Sequence, residues 1–178
     1  MSSIQTLTVN GSLNLASGST LTLDASPFNS TTPLVVENGG TVRVAAATVT
    51  RNGSYFAPVT VKAGGHLIAA DSTLGGYSLT LSPGAVFNAG DLSNNRFDLP
   101  VYLPTTFVPL LSASGGGADN RRFQDVILAD GSLASGTLSL GLIGTETAAN
   151  LRYVFSVSYT VASGATVSVG AAPVRRRG

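Results

Sequence analysis

In "LVVENGGTVRV", residues 34–44, apolar residues occupy alternate positions; the alternation breaks at a glycine pair and then resumes. Alternation at period two puts Leu34, Val36, Val42 and Val44 on one face of two short strands, and the glycines supply a corner that ordinary residues resist. The same pattern recurs as Leu13, Leu15, Gly18, Leu21, Leu23, as Val59, Val61, Gly64, Leu67, Ala69, and as Leu79, Leu81, Gly84, Phe87, Ala89. An isolated hairpin explains one copy. It does not explain a recurrence every twenty or so residues with the same corner. A coil does, because successive windings then stack Leu13, Leu34, Val59 and Leu79 into an interior column with neighbours about 4.8 Å apart. The pattern predicts an all-β fold: a short parallel β-helix, or β-solenoid, followed by an irregular β-strand cap module.

From Asn94 the spacing dissolves. The segment Leu99 to Leu111 carries Pro100, Pro104 and Pro109 and reads as an extended crossing segment, too short to span a bilayer. The run Gly115 to Gly117 marks a loop or boundary. Beyond it, "FQDVILADGSLASGTLSLGLIG" and "LRYVFSVSYTV" read as further strands, and the corner pattern returns around Gly164. Residues 1–94 are expected to form the β-helix repeats and residues 95–178 an all-β cap or attachment module. End windings lack one neighbour, so a coil this short needs a cap, a second domain or a symmetric partner.

Composition agrees with strands and turns: of 178 residues, 43% are hydrophobic, 11% are charged, and there are 21 glycines and 8 prolines. A formal net charge of +1 supplies no long-range field for nucleic acid or an anionic membrane, and neither is expected as a partner. Without cysteines there is no disulfide framework and no thiolate metal site. The start "MSSIQTLTVNGS" lacks the basic and apolar regions of a secretory signal, which leaves either a chain not exported by that route or a fragment of something larger.

Asp71 and Asp91 share the same offset after Gly64 and Gly84, so stacking is expected to hold their carboxylates roughly 5 Å apart, near the spacing of a retaining glycosidase. Turn capping is the simpler role, with no third acid or base nearby. His66, the only histidine, is expected as a solvated strand residue, since one imidazole is poor material for a zinc site. No G-x-S-x-G elbow and no phosphate-binding loop opens a helix. No catalytic, metal or cofactor residues are therefore assigned.

Candidate partner-binding residues are Arg175, Arg176 and Arg177, which could pair with an acidic patch on a neighbouring subunit, with a solvated terminus as the simpler role. Tyr102 and Phe107, between the prolines, offer apolar contact surface at low entropic cost, with core burial as the competing role.

The turns "LTVNGSLNLASGSTLTLD" and "LTLSPGAVFNAGDLSNN" resemble the passenger repeats of bacterial autotransporter adhesins, which are right-handed parallel β-helices. "FVPLLSASGGGADNRRFQDVILADGSL" with "YVFSVSYTVASGATVSV" is similar to the segment closing such helices. The chain lacks their export signal and membrane barrel, and looks more like the β-helical spikes, head fibres and capsid decoration proteins of tailed bacteriophages. That resemblance implies a structural virion protein on the virion surface, a homotrimer bound to other capsid or virion proteins. A secreted or surface adhesin is the alternative, and a polysaccharide-degrading β-helix enzyme the next.

Overall fold

The structure is a computed structural model and describes residues 6–24, 33–53, 56–112 and 119–170. The chain is all-β and winds as a β-solenoid of about six turns. The first winding contributes β1 (Leu7–Val9), β2 (Ser12–Leu15) and β3 (Thr20–Asp24). The second contributes β4 (Leu34–Val36), β5 (Thr41–Ala45) and β6 (Thr48–Asn52), and the third β7 (Val59–Val61), β8 (His66–Ala70) and β9 (Thr73–Gly75). The fourth holds β10 (Leu79–Leu81), β11 (Leu92–Ser93) and β12 (Arg96–Asp98). Then come β13 (Val101–Leu103), β14 (Asp125–Leu128), β15 (Ser132–Leu133) and β16 (Thr137–Leu140). The last described winding is β17 (Arg152–Phe155), β18 (Thr160–Val161) and β19 (Thr166–Val169).

One seven-stranded parallel sheet runs the length of the molecule in the order β1-β4-β7-β10-β13-β14-β17. Two four-stranded sheets, β2-β5-β8-β11 and β3-β6-β9-β12, form the other walls. The pairing crosses residues 94–95 without a break, and the later strands add the pairs β15-β18 and β16-β19. Leu34, Val59 and Leu79 sit in register, as the repeat predicts, and Val101, Val126 and Tyr153 extend the column. Winding length varies from 20 residues, Val59 to Leu79, to 27, Leu7 to Leu34.

The first winding departs from the predicted alignment. Leu7, not Leu13, lies beside Leu34, whereas Leu13 pairs with Val42 and Leu15 with Val44. The corner equivalent to Glu37–Gly40 is the short Asn10–Gly11 turn, and Gly18 belongs to the next corner, where its N–H donates to the Ala46 carbonyl. Both corners contain glycine, so a template of fixed length chose the wrong one.

The two corners are built differently. At the first, Gly39, Gly64 and Gly84 have φ of 78°, 73° and 81°, a left-handed conformation without penalty only for glycine. Gly40 and Gly65 follow where windings touch: a Cβ on Gly40 would lie 2.1 Å from the Val9 carbonyl oxygen, and one on Gly65 2.7 Å from that of Val36. At the second, Gly18 of the first winding has φ of 76°, but the left-handed residues of the next three windings are not glycines: Ala46, Asp71 and Asn94, with φ of 48°, 54° and 52°.

Behind that second corner a buried polar ladder crosses the windings. The Ser72 hydroxyl accepts the Ala47 N–H at 3.1 Å, and the Ser72 N–H donates to Asn95 Oδ1 at 3.0 Å. The Asn95 N–H donates to Asn120 Oδ1 at 3.1 Å, and Asn120 Nδ2 reaches the Leu92 and Leu111 carbonyls. Ser72, Asn95 and Asn120 are all buried, so these bonds replace hydration the groups have lost. The remaining interior is apolar and includes a stacked Phe97–Phe123 pair with ring centroids 4.8 Å apart. The proline-rich stretch is extended over β13, as expected, but then turns as a 3₁₀-helix over Thr105–Leu110, anchored where the Thr105 N–H meets the Asp130 carboxylate at 3.0 Å.

Candidate functional site

The stacked carboxylate pair does not form. Ala70 lies six residues past Gly64, whereas its partner Ser93 lies nine past Gly84, because the fourth winding inserts a turn between Phe87 and Asp91. Asp71 therefore stacks against Asn94, whose Nδ2 donates to Asp71 Oδ1 at 2.6 Å. Asp91 closes the inserted turn through the Asn88 N–H at 2.6 Å and also meets His66 Nε2 at 2.9 Å. His66 is thus paired and partly buried, not a solvated strand residue. Each carboxylate has a local structural task. Among the described residues no group of three or more His, Asp or Glu side chains converges as a metal site requires.

Tyr102 stands on the outer face of the long sheet. Inward positions of β7, β10 and β13 are fully buried, and the residues between them, Thr60, Thr80 and Tyr102, point outward in register. Phe56 and Tyr77, from the corners preceding β7 and β10, flank this column with ring centroids 4.5 Å apart and an interplanar angle of 59°. Pro58, Ser78 and these side chains line a shallow groove of about 390 Å³. Phe56 is 58% exposed and Tyr77 40%. The Arg51 guanidinium lies 5.8 Å from the Tyr77 ring centroid, within cation–π range. Sequence reasoning found Tyr102 and missed Phe56 and Tyr77, since only the winding brings the three together.

Phe107 has a different setting. It is half-buried on the 3₁₀-helix, packs against the core, and meets Phe87 edge-on with ring centroids 5.2 Å apart. Arg175, Arg176 and Arg177 lie outside the described residues.

A second exposed apolar surface is the last described winding. Tyr153 and Phe155 continue the inward positions of Val126 and Leu128, Val161 that of Leu133, and Val167 and Val169 those of Leu138 and Leu140. Yet Phe155, Val161 and Val169 are 40%, 45% and 77% exposed. At its edge Arg152 forms a two-pronged ion pair with Asp125, at 2.7 and 2.8 Å. Its hydrogen bonds hold the Asp125 carboxyl below the usual carboxylate range. Burial pushes the Tyr153 hydroxyl up to about 12, and that hydroxyl donates to the Gly141 carbonyl at 2.8 Å.

No helix among the described residues is long and apolar enough to cross a membrane. No family model, curated protein or solved structure matches the chain.

Proposed function

We propose that the chain is a structural virion protein, a stiff β-solenoid that attaches to other subunits of a bacteriophage capsid or short spike and works by shape instead of catalysis. The observation that carries this reading is the last described winding, where Phe155, Val161 and Val169 stand exposed although their partners in the winding before, Leu128, Leu133 and Leu140, are buried or half-buried. A contiguous apolar surface of that kind marks a contact with another protein. Homotrimeric assembly is part of the same proposal, closed symmetry being the rule for such assemblies. Arg175, Arg176 and Arg177 are proposed to pair with an acidic patch on a neighbouring subunit.

The test mixes the purified chain with capsids assembled from the coat protein encoded alongside it, followed by sedimentation and imaging. The chain should bind at fixed sites, in groups of three copies. The double variant Phe155→Ser and Val169→Ser, and removal of residues 175–178, should each lower occupancy. A folded chain that stays monomeric and leaves the capsids bare overturns the reading.

A further inference from the structure

We propose that the groove formed by Phe56, Tyr77 and Tyr102 is a binding site for a neutral oligosaccharide. The site stands on its own geometry and does not depend on a virion setting. Three features select the ligand. First, the groove lies over β7, β10 and β13, in the interior of the seven-stranded sheet, where the strands pair with windings on both sides. No free strand edge is available there, so an extended peptide cannot add to the sheet, and recognition falls to side chains.

Second, those side chains combine exposed aromatic rings with hydroxyls. Thr60, Thr80 and Tyr102 place one hydroxyl on each of three successive rungs, about 4.8 Å apart. Tyr77 and Phe56 supply ring surface along the flank. A pyranose ring has a patch of C–H groups on its face and hydroxyls around its rim, so it rests on the aromatic surface while its rim exchanges hydrogen bonds with the hydroxyl column.

Third, the lining carries no charged side chain, and the Arg51 guanidinium is set beside the Tyr77 ring. A neutral ligand meets no desolvated charge there. The volume of about 390 Å³ falls in the range of small-ligand clefts.

The experiment screens the full chain against an immobilised array of neutral oligosaccharides, then titrates the best ligand by calorimetry and by chemical shift at Thr60, Thr80 and Tyr102. One or more neutral glycans should bind and shift those three residues. Tyr77→Ala and Tyr102→Ala should each weaken binding about tenfold, equal to about 1.4 kcal/mol. Tyr102→Phe should retain most of the stacking contribution, and Asn14→Ala, at an exposed position of β2, should change nothing. Hydrogen-exchange protection of β7 and β10 confirms that each variant is folded. A blank array overturns the assignment. So does glycan binding indifferent to Tyr77 and Tyr102, or preferential capture of a proline-rich peptide at the same residues.

Discussion

Replacing Asn95 with alanine tests the buried ladder directly. In the native fold Asn95 Oδ1 accepts the Ser72 N–H at 3.0 Å, and its Nδ2 donates to the Ala69 carbonyl at 2.7 Å and to Asn120 Oδ1 at 3.2 Å. The residue is 0% exposed, so water cannot take over. Alanine removes all three bonds and leaves the Ser72 N–H without that acceptor in a dry interior. One orphaned donor costs about 1–3 kcal/mol, and the lost carbonyl bond about 1 more, for a total of about 2–4 kcal/mol. In a chain of this length each kcal/mol lowers Tm by about 2–4 °C. Denaturant melts of Asn95→Ala and of Asn14→Ala, an exposed asparagine on β2, make the comparison, with the control expected within about 0.5 kcal/mol of the parent. Because windings can open separately, amide exchange at Ser72 should be read alongside and should lose protection in Asn95→Ala. Asn95→Asp sharpens the test: it keeps the acceptor for Ser72 but turns a carboxylate oxygen toward two oxygens, so it should be at least as damaging at neutral pH and recover as acid protonates it. If Asn95→Ala and Asn14→Ala melt together, the ladder carries no stability and the reasoning fails.

Three further outcomes follow from the same geometry. Gly40→Ala drives a methyl to within 2.1 Å of the Val9 carbonyl oxygen and should cost about 3 kcal/mol, whereas Gly39→Ala, strained by its positive φ but facing open space, should cost about 1–2, as calorimetry of the two variants will show. Asp125 should titrate below 3.8 by carbon-detected NMR, and Arg152→Gln should bring it back up; because the folded carboxyl is the more acidic, its contribution to stability is complete above 3.8 and fades as pH falls toward the folded value. Tyr153 should ionise at about 12 in an ultraviolet titration; the folded state holds its proton longer than the unfolded chain does, so stability from this group is full below about 10 and declines as pH rises toward 12.

The inward column was legible from residues 34 onward because each rung must present an aliphatic pair flanking a glycine corner, and Leu34, Val59 and Leu79 do so with little variation. The first winding was not, because Val9 and Leu13 flank a corner two residues shorter than the one between Val36 and Val42. The inserted turn at Asn88–Asp91 hid the true partner of Asp71 for the same reason: loop length is free where it faces solvent. Ser72, Asn95 and Asn120 read as ordinary turn formers, and their 23- and 25-residue separations acquire meaning only once the register is known. In the groove, Tyr102 stood out among prolines, but Phe56 and Tyr77 sit at corners, where a strand pattern assigns no face.

The polar ladder spans only the middle windings, from Ala47 to Asn120. A load applied to the two ends of the rod would therefore meet unequal resistance. Outer coils, which lack that buried ladder, would unzip one after another, and the extension would halt at the pegged centre until the amide rungs gave way together.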